Sequence, residues 1–320
     1  MKKAALIIAV ILLIAGIIIG VIALASAKFD YHMFETMPSE LKDYSVEGDF
    51  RSIEIRANTE IIRFERSDDG TAHVLCRETK RNTHTVKAEN GTLKITSEET
   101  PGWRNLIEIS FEKEMITVYL PNDAYEMLTI ETHTGDAEVP DWLTFSSAAI
   151  HGSTADVRFD ATVKKLLSIE TSTGDISITG TSAEAIDCKT TTGDVRMTGV
   201  ACRGDVFVKV STGEVILEGL TCHNLVTEGS TGDASLRDVL ASGMISIERS
   251  TGDVGFADSD AAEIKVKTST GDVTGTLLTD KIFQVQSSTG RIGVPGSAAG
   301  GKCEITTTTG DIGIRIVPNA

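Results

Sequence analysis

Five aspartates make the strongest case for chemistry in this chain: Asp175, Asp194, Asp233, Asp253 and Asp272, each closing a Thr-Gly-Asp tripeptide. Four of these continue into a β-branched residue, as Thr173-Gly174-Asp175-Ile176, Thr192-Gly193-Asp194-Val195, Thr251-Gly252-Asp253-Val254 and Thr270-Gly271-Asp272-Val273. A carboxylate beside a hydroxyl, repeated at a fixed interval, offers a row of hard oxygen donors, and the ion such donors suit is Ca²⁺. Ca²⁺ takes six to eight oxygens, however, and the glycine-rich, Asp-spaced nonapeptide of Ca²⁺-binding β-rolls is missing. Arg291 also stands where the row calls for an acid. The competing use is structural, because Asp, Ser and Thr side chains hold tight corners by bonding nearby backbone N–H groups. The turn reading is preferred, with the Ca²⁺ row as its alternative.

Other chemistry is sparse. The chain contains no G-x-S-x-G, H-E-x-x-H, P-loop or G-x-G-x-x-G, and its six histidines form no motif. The five cysteines, Cys76, Cys188, Cys202, Cys222 and Cys303, include no C-x-x-C pair, which argues against a metal site or a full disulfide framework. Cys202 and Cys222 lie one repeat apart and read as small apolar residues stacked in a core. No catalytic, cofactor-binding or metal residue is assigned, and no cofactor is expected. A polysaccharide-active enzyme on a β-helix is the enzyme alternative, but such enzymes wall a groove with long corner loops. Here the repeats differ in length by one residue, so the chain reads as non-enzymatic.

The elements that position the aspartates follow from the repeat. Counted at the turn residue, it recurs at Gly135, Ala155, Gly174, Gly193, Gly213, Gly232, Gly252, Gly271, Gly290 and Gly310, about every 19 or 20 residues. Self-similarity at that period marks a stacked-repeat architecture. Five residues before the turn the chain is mostly Ile or Val (Ile130, Ile150, Ile169, Val208, Ile247, Ile305), and two after it stand Ile176, Val195, Val215, Val254 and Val273. Apolar residues alternating with polar ones, bounded by Gly, Asp and Thr, give short half-buried strands. A second corner falls near Gly180, Gly199, Gly219, Asp238 and Asp258. The expected fold is all-β: a single-stranded, right-handed parallel β-helix of about ten coils over residues 126–320, stacking to make one continuous core.

Residues 48–125 read as an irregular β cap. Ile61 to Arg66 and Ala72 to Cys76 are expected to form one hairpin about Asp68-Asp69-Gly70. Val86 to Glu89 and Thr92 to Ile95 form another about Asn90-Gly91. Further strands fall at Ile107 to Phe111 and Ile116 to Leu120, and residues 29–47 form a spacer. Residues 1–28 hold Lys2, Lys3 and a nearly unbroken apolar run from Ala4 to Ala27. That length predicts a transmembrane signal-anchor helix with the body outside the cytoplasm. A cleaved signal peptide ending at Ala25-Ser26-Ala27, and a secreted body, is the alternative. The expected partners are the membrane, through that helix, and an envelope protein or glycan. A formal charge of −16 excludes nucleic acid by bulk electrostatics. A homo-oligomer is open, through the Gly16/Gly20 pair or the far end of the stack.

The Thr-Gly-Asp-Val/Ile repeats, with Leu120-Pro121 and the run from Leu128 to Thr132 ahead of them, resemble the bacterial "putative adhesin" family of β-strand-repeat domains, which includes LiaG-like envelope proteins. The likeness spans about residues 48–317. It implies a right-handed β-solenoid held outside the cytoplasmic membrane, in some members tied to envelope-stress systems, with no catalytic residues to carry over. The sequence therefore reads as a non-enzymatic, membrane-anchored, adhesin-like binding or scaffold protein of the cell envelope. A component of an envelope-stress response is the alternative.

Overall fold

The computed structural model describes residues 13–19, 21, 39–99 and 113–318. From residue 39 onward the described residues form parallel rungs stacked into a β-solenoid. Strands before the turn make one sheet and strands after it make a second. In the first, Ile150 pairs with Ile130 and Ile169, and the series continues through Cys188, Val208, Thr227, Ile247 and Val266. In the second, Val157, Ile176, Val195, Val215, Ala234, Val254 and Val273 stack in the same way. Every inward position in these columns that carries an aliphatic side chain is buried. This register follows from the period-two pattern, because a slip of one residue would turn every apolar side chain out to water.

A short third side closes many of the rungs. Ala183, Cys202, Cys222, Ala241 and Ala261 fill its inward positions. The five cysteines are buried free thiols, as the core reading expects. The second corners adopt the left-handed backbone that the sequence suggested: φ is 63° at Gly180, 62° at Gly199, 63° at Gly219, 52° at Asp238 and 53° at Asp258.

The stack contains two rungs more than the repeat count shows, and the inner of them begins the turn column. Strands β2 (Ser52–Ala57) and β3 (Ile61–Arg66) place Ile55 against Ile130 and Ile62 against Ala137. Glu60 therefore occupies the position that glycine holds in the next rung. Between β3 and the next rung the chain makes β4 (His73–Glu78), β5 (Asn82–Glu89), β6 (Thr92–Glu99) and β7 (Met115–Leu120). Strands β6 and β7 form an outer rung, parallel to β2 and β3 respectively. Antiparallel strands lie outside that rung: β5 on β6, and β4 with β1 (Glu40–Ser45) on β7.

Three expectations need correction. The hairpin about Asp68-Asp69-Gly70 does not form: β3 and β4 are separated by β7, which pairs with both. The other hairpin forms, with Asn90 and Gly91 at φ 52° and 76°. The coils also do not stack in strict chain order at the far end. Thr270 pairs with Thr309, and Thr309 with Thr289. The last rung, Gly301–Thr309 and Ile312–Ile316, thus lies between the two rungs that precede it in sequence.

The third correction is the transmembrane helix. Among the described residues no helix is long and apolar enough to cross a membrane. The apolar run is described, as helix, only at residues 13–19 and 21, and the rest of it lies outside the described residues, as does the strand expected at Ile107 to Phe111. The membrane-anchored function, the membrane as partner and the single-pass location all rested on that helix and fall with it.

Candidate functional site

The Thr-Gly-Asp corners line up along one edge of the solenoid. Thr154, Thr173, Thr192, Thr212, Thr231 and Thr251 pair rung to rung, followed by Thr270, Thr309 and Thr289. Glycine is required here by close approach as well as by conformation. A Cβ on Gly213 would lie 2.1 Å from the carbonyl oxygen of Gly193, and one on Gly252 2.1 Å from that of Gly232. Their φ values of 142° and 143° are also ones that residues with a side chain rarely adopt.

Asp175, Asp233, Asp253 and Asp272 are exposed along this edge and Asp194 is half-buried, and each bonds to the rung above. Asp175 Oδ1 accepts the backbone N–H of Asp194 at 2.8 Å, and Asp194 Oδ1 that of Glu214 at 2.7 Å. Asp233 accepts from Asp253, Asp253 from Asp272, and Asp272 from Asp311. The series ends at Asp311, whose carboxylate takes the backbone N–H of Arg291 at 2.7 Å and its guanidinium at 2.9 Å. Those bonds hold the Asp311 carboxyl below the usual carboxylate range. The carboxylates therefore act as rung-to-rung staples, satisfying amides that a corner would otherwise leave open. Among the described residues, no group of three or more His, Cys, Asp or Glu side chains could hold a metal ion.

The structure also brings together residues that the sequence did not single out. Glu60 is fully buried at the foot of the turn column. Its Oε2 accepts the backbone N–H groups of Asn58 and Thr59 at 2.7 and 3.0 Å. Its Oε1 takes Asn82 Nδ2 at 2.5 Å, His84 Nε2 at 3.0 Å and the Ser97 hydroxyl. Burial raises the Glu60 pKa, but the bonds from His84, Ser97 and Asn82 outweigh it and hold the group at about 2. On the far side of the imidazole, His84 Nδ1 lies 3.4 Å from Glu78 Oε1, which also receives the Tyr44 hydroxyl. The cluster plugs the end of the core where β4 and β5 cross it. The missed signal was register: Ile55, Ile62 and Phe64 stand five before, two after and four after Glu60, as in every later repeat.

Neither region is equipped to turn over a substrate. The His84 ring and the Glu60 carboxylate are completely buried side chains, so no substrate atom reaches them. Burial pushes the Cys76, Cys222 and Cys303 thiols up to about 12, which leaves them protonated and unreactive. The concave features are shallow. A hollow of about 160 Å³ lies beside Asn82, Glu99 and Glu114, and a trough of about 620 Å³ passes over Ala241, Ala261 and Lys281 where the third side stops.

A family comparison matches the chain twice, over residues 50–207 and 203–320. The chain belongs to the Toastrack DUF4097 family. Solved structures similar to this toastrack chain include a "putative adhesin" from Parabacteroides distasonis, at 14% identity and TM-score 0.48, covering 76% of this chain and 98% of that one. A "putative adhesin" from Parabacteroides merdae gives 13% identity and TM-score 0.48, covering 75% and 97%. Another, from Bacteroides fragilis, gives 14% identity and TM-score 0.42, covering 87% and 97%. No curated protein matches the chain.

Proposed function

We propose that this toastrack protein is a non-enzymatic, adhesin-like binding rod of the bacterial cell envelope, acting outside the cytoplasm. The observation that carries this reading is the in-register stack, which presents long flat rows of side chains instead of a cleft. Its outer faces differ in kind. The turn edge carries a line of carboxylates one rung apart, about 4.8 Å. On the face of the first sheet, opposite charges pair along the stack, as in Lys209–Glu228 at 3.5 Å and Lys267–Glu248 at 2.8 Å. The acidic edge repels anionic polymers, whereas the charge-balanced face does not, so that face is the docking surface for a neutral glycan or a protein.

The test is sedimentation of the labelled chain with purified cell-wall polymer. Saturable binding without release of reducing ends is expected. Absence of binding to any envelope fraction, or release of sugar, sinks the reading. The resemblance of the Thr-Gly-Asp repeats to LiaG-like envelope proteins supports a second reading as a component of an envelope-stress response. Deleting the gene and measuring the transcriptional response to cell-wall antibiotics tests it.

A further inference from the structure

The outermost rung at the far end is unfinished as a protein surface. Among the described residues, strand Lys281–Thr289 pairs on one side only, with Gly301–Thr309, and Ile292–Gly293 only with Ile312–Ile316. Its core-column residues Phe283, Val285 and Val294 stay half-buried because no described residue stacks on them. Ile282 and Ile292 beside them are 43% and 47% exposed. Thr289 gives its carbonyl to Gly310 N at 2.9 Å. By strand alternation, the backbone groups of Ile282, Gln284, Gln286 and Ser288 point away from the stack, unpaired. Soluble proteins blunt such edges with charge, proline or covering strands. The outward side chains of this nine-residue edge, Ile282, Gln284, Gln286 and Ser288, supply neither charge nor proline, and no described strand covers it; its one charge, Lys281, turns inward onto Asp260.

We propose that this edge pairs with the same edge of a second copy, joining two solenoids end to end about a two-fold axis. Charge selects the occupant. Residues 281–297 carry no carboxylate, and of their two cations Lys281 is buried against Asp260 while Arg291 is exposed beside Asp311, in a chain whose formal charge is −16. This end is therefore where two such acidic bodies meet with the least repulsion. The geometry fixes the register. Antiparallel pairing centred on Val285 sets Gln284 against Gln286 and Ile282 against Ser288, which are the residues whose backbone groups are free. Phe283 and Val285 then fall over the partner's open core. The same register brings the exposed Asp280 of each copy beside Arg291 of the other, two complementary pairs related by the axis. An isologous contact of this kind closes at two copies and does not propagate.

Sedimentation velocity of the full chain across a concentration series reads the outcome. A monomer–dimer equilibrium is expected. Gln286→Lys, at an exposed site, should leave the melting temperature unchanged and weaken the dimer at least tenfold by setting charge into the seam. Val285→Cys should cross-link to its own copy under mild oxidation, because the register opposes this residue to itself. Three results overturn the proposal: a monomer at all concentrations, a dimer unmoved by Gln286→Lys, or a monomer whose edge takes up an unrelated extended peptide instead.

Discussion

The two ends of this solenoid solve one problem in opposite ways. Both have an outer rung drawn from the interior of the chain, with a terminal segment tucked one rung inside it. At the near end, β2 and β3 lie beneath β6 and β7. At the far end, residues 301–316 lie beneath residues 281–293. Beyond that they diverge. The near end adds antiparallel strands β1, β4 and β5 and fills the exposed core with a hydrogen-bonded plug of Glu60, Asn82, His84 and Glu78. Among the described residues the far end adds no strand beyond its outer rung and leaves Phe283 and Val285 half open. Satisfied polar groups finish a surface that water may touch, whereas an apolar, uncharged rung finishes only by contact.

Removing the plug gives the largest expected effect. Glu60→Ala leaves His84 Nε2 buried without its acceptor and Asn82 Nδ2 with Glu114 alone, and should cost about 3–5 kcal/mol, read by denaturant unfolding. Acid should mimic it. The folded-state pKa of Glu60 is depressed from 4.5 to about 2, so its contribution is complete above pH 4.5 and is lost as pH falls toward 2. The near end should then unfold first on acidification, visible as early amide exchange in β5 and β6. Uniform loss across both ends would break the contrast.

A paired substitution at the far end sharpens it. Ile305 is fully buried in the tucked rung, and Ile305→Ala should cost about 2–4 kcal/mol. Val285, its register partner one rung out, is half-buried in the monomer, and Val285→Ala should cost less than about 1.5 kcal/mol under conditions that keep the protein monomeric. Equal costs would mean that the outer rung is already covered. The one substitution expected to cost nothing belongs to the middle of the stack. Arg249 is buried where other rungs carry Thr, over Gly229, with its Nε and Nη2 unpartnered. Arg249→Met should therefore be neutral or stabilising by up to about 2 kcal/mol, measured by thermal melting.

Much of the middle of the molecule was legible because its determinants are local. A glycine at φ 142° against a neighbouring carbonyl, an Ile or Val at each inward position and an Asn-Gly turn all announce themselves within a few residues. Pairing across long separations does not. No local pattern tells β3 to pair with β7 instead of β4, nor places residues 301–309 inside residues 281–289, since parallel rungs of similar sequence fit in either order. Glu60 was opaque for another reason. A carboxylate in a polar turn looks solvated, and only the 75 residues between Glu60 and Gly135 collapsing into one rung step show that it is buried. The Arg249 position had a readable sign, the glycine at 229 in the same column one repeat earlier, whose missing side chain makes the room.

The tucked last rung also sets a condition on biosynthesis. A solenoid built in chain order can grow behind the ribosome, each new coil settling on the one before. This one cannot finish that way, because residues 281–293 have no surface to rest on until residues 301–316 have been made and have slid into place. Until then residues 281–293 are a raw rung open to cellular proteases. Folding of the far end therefore lags one coil behind its synthesis.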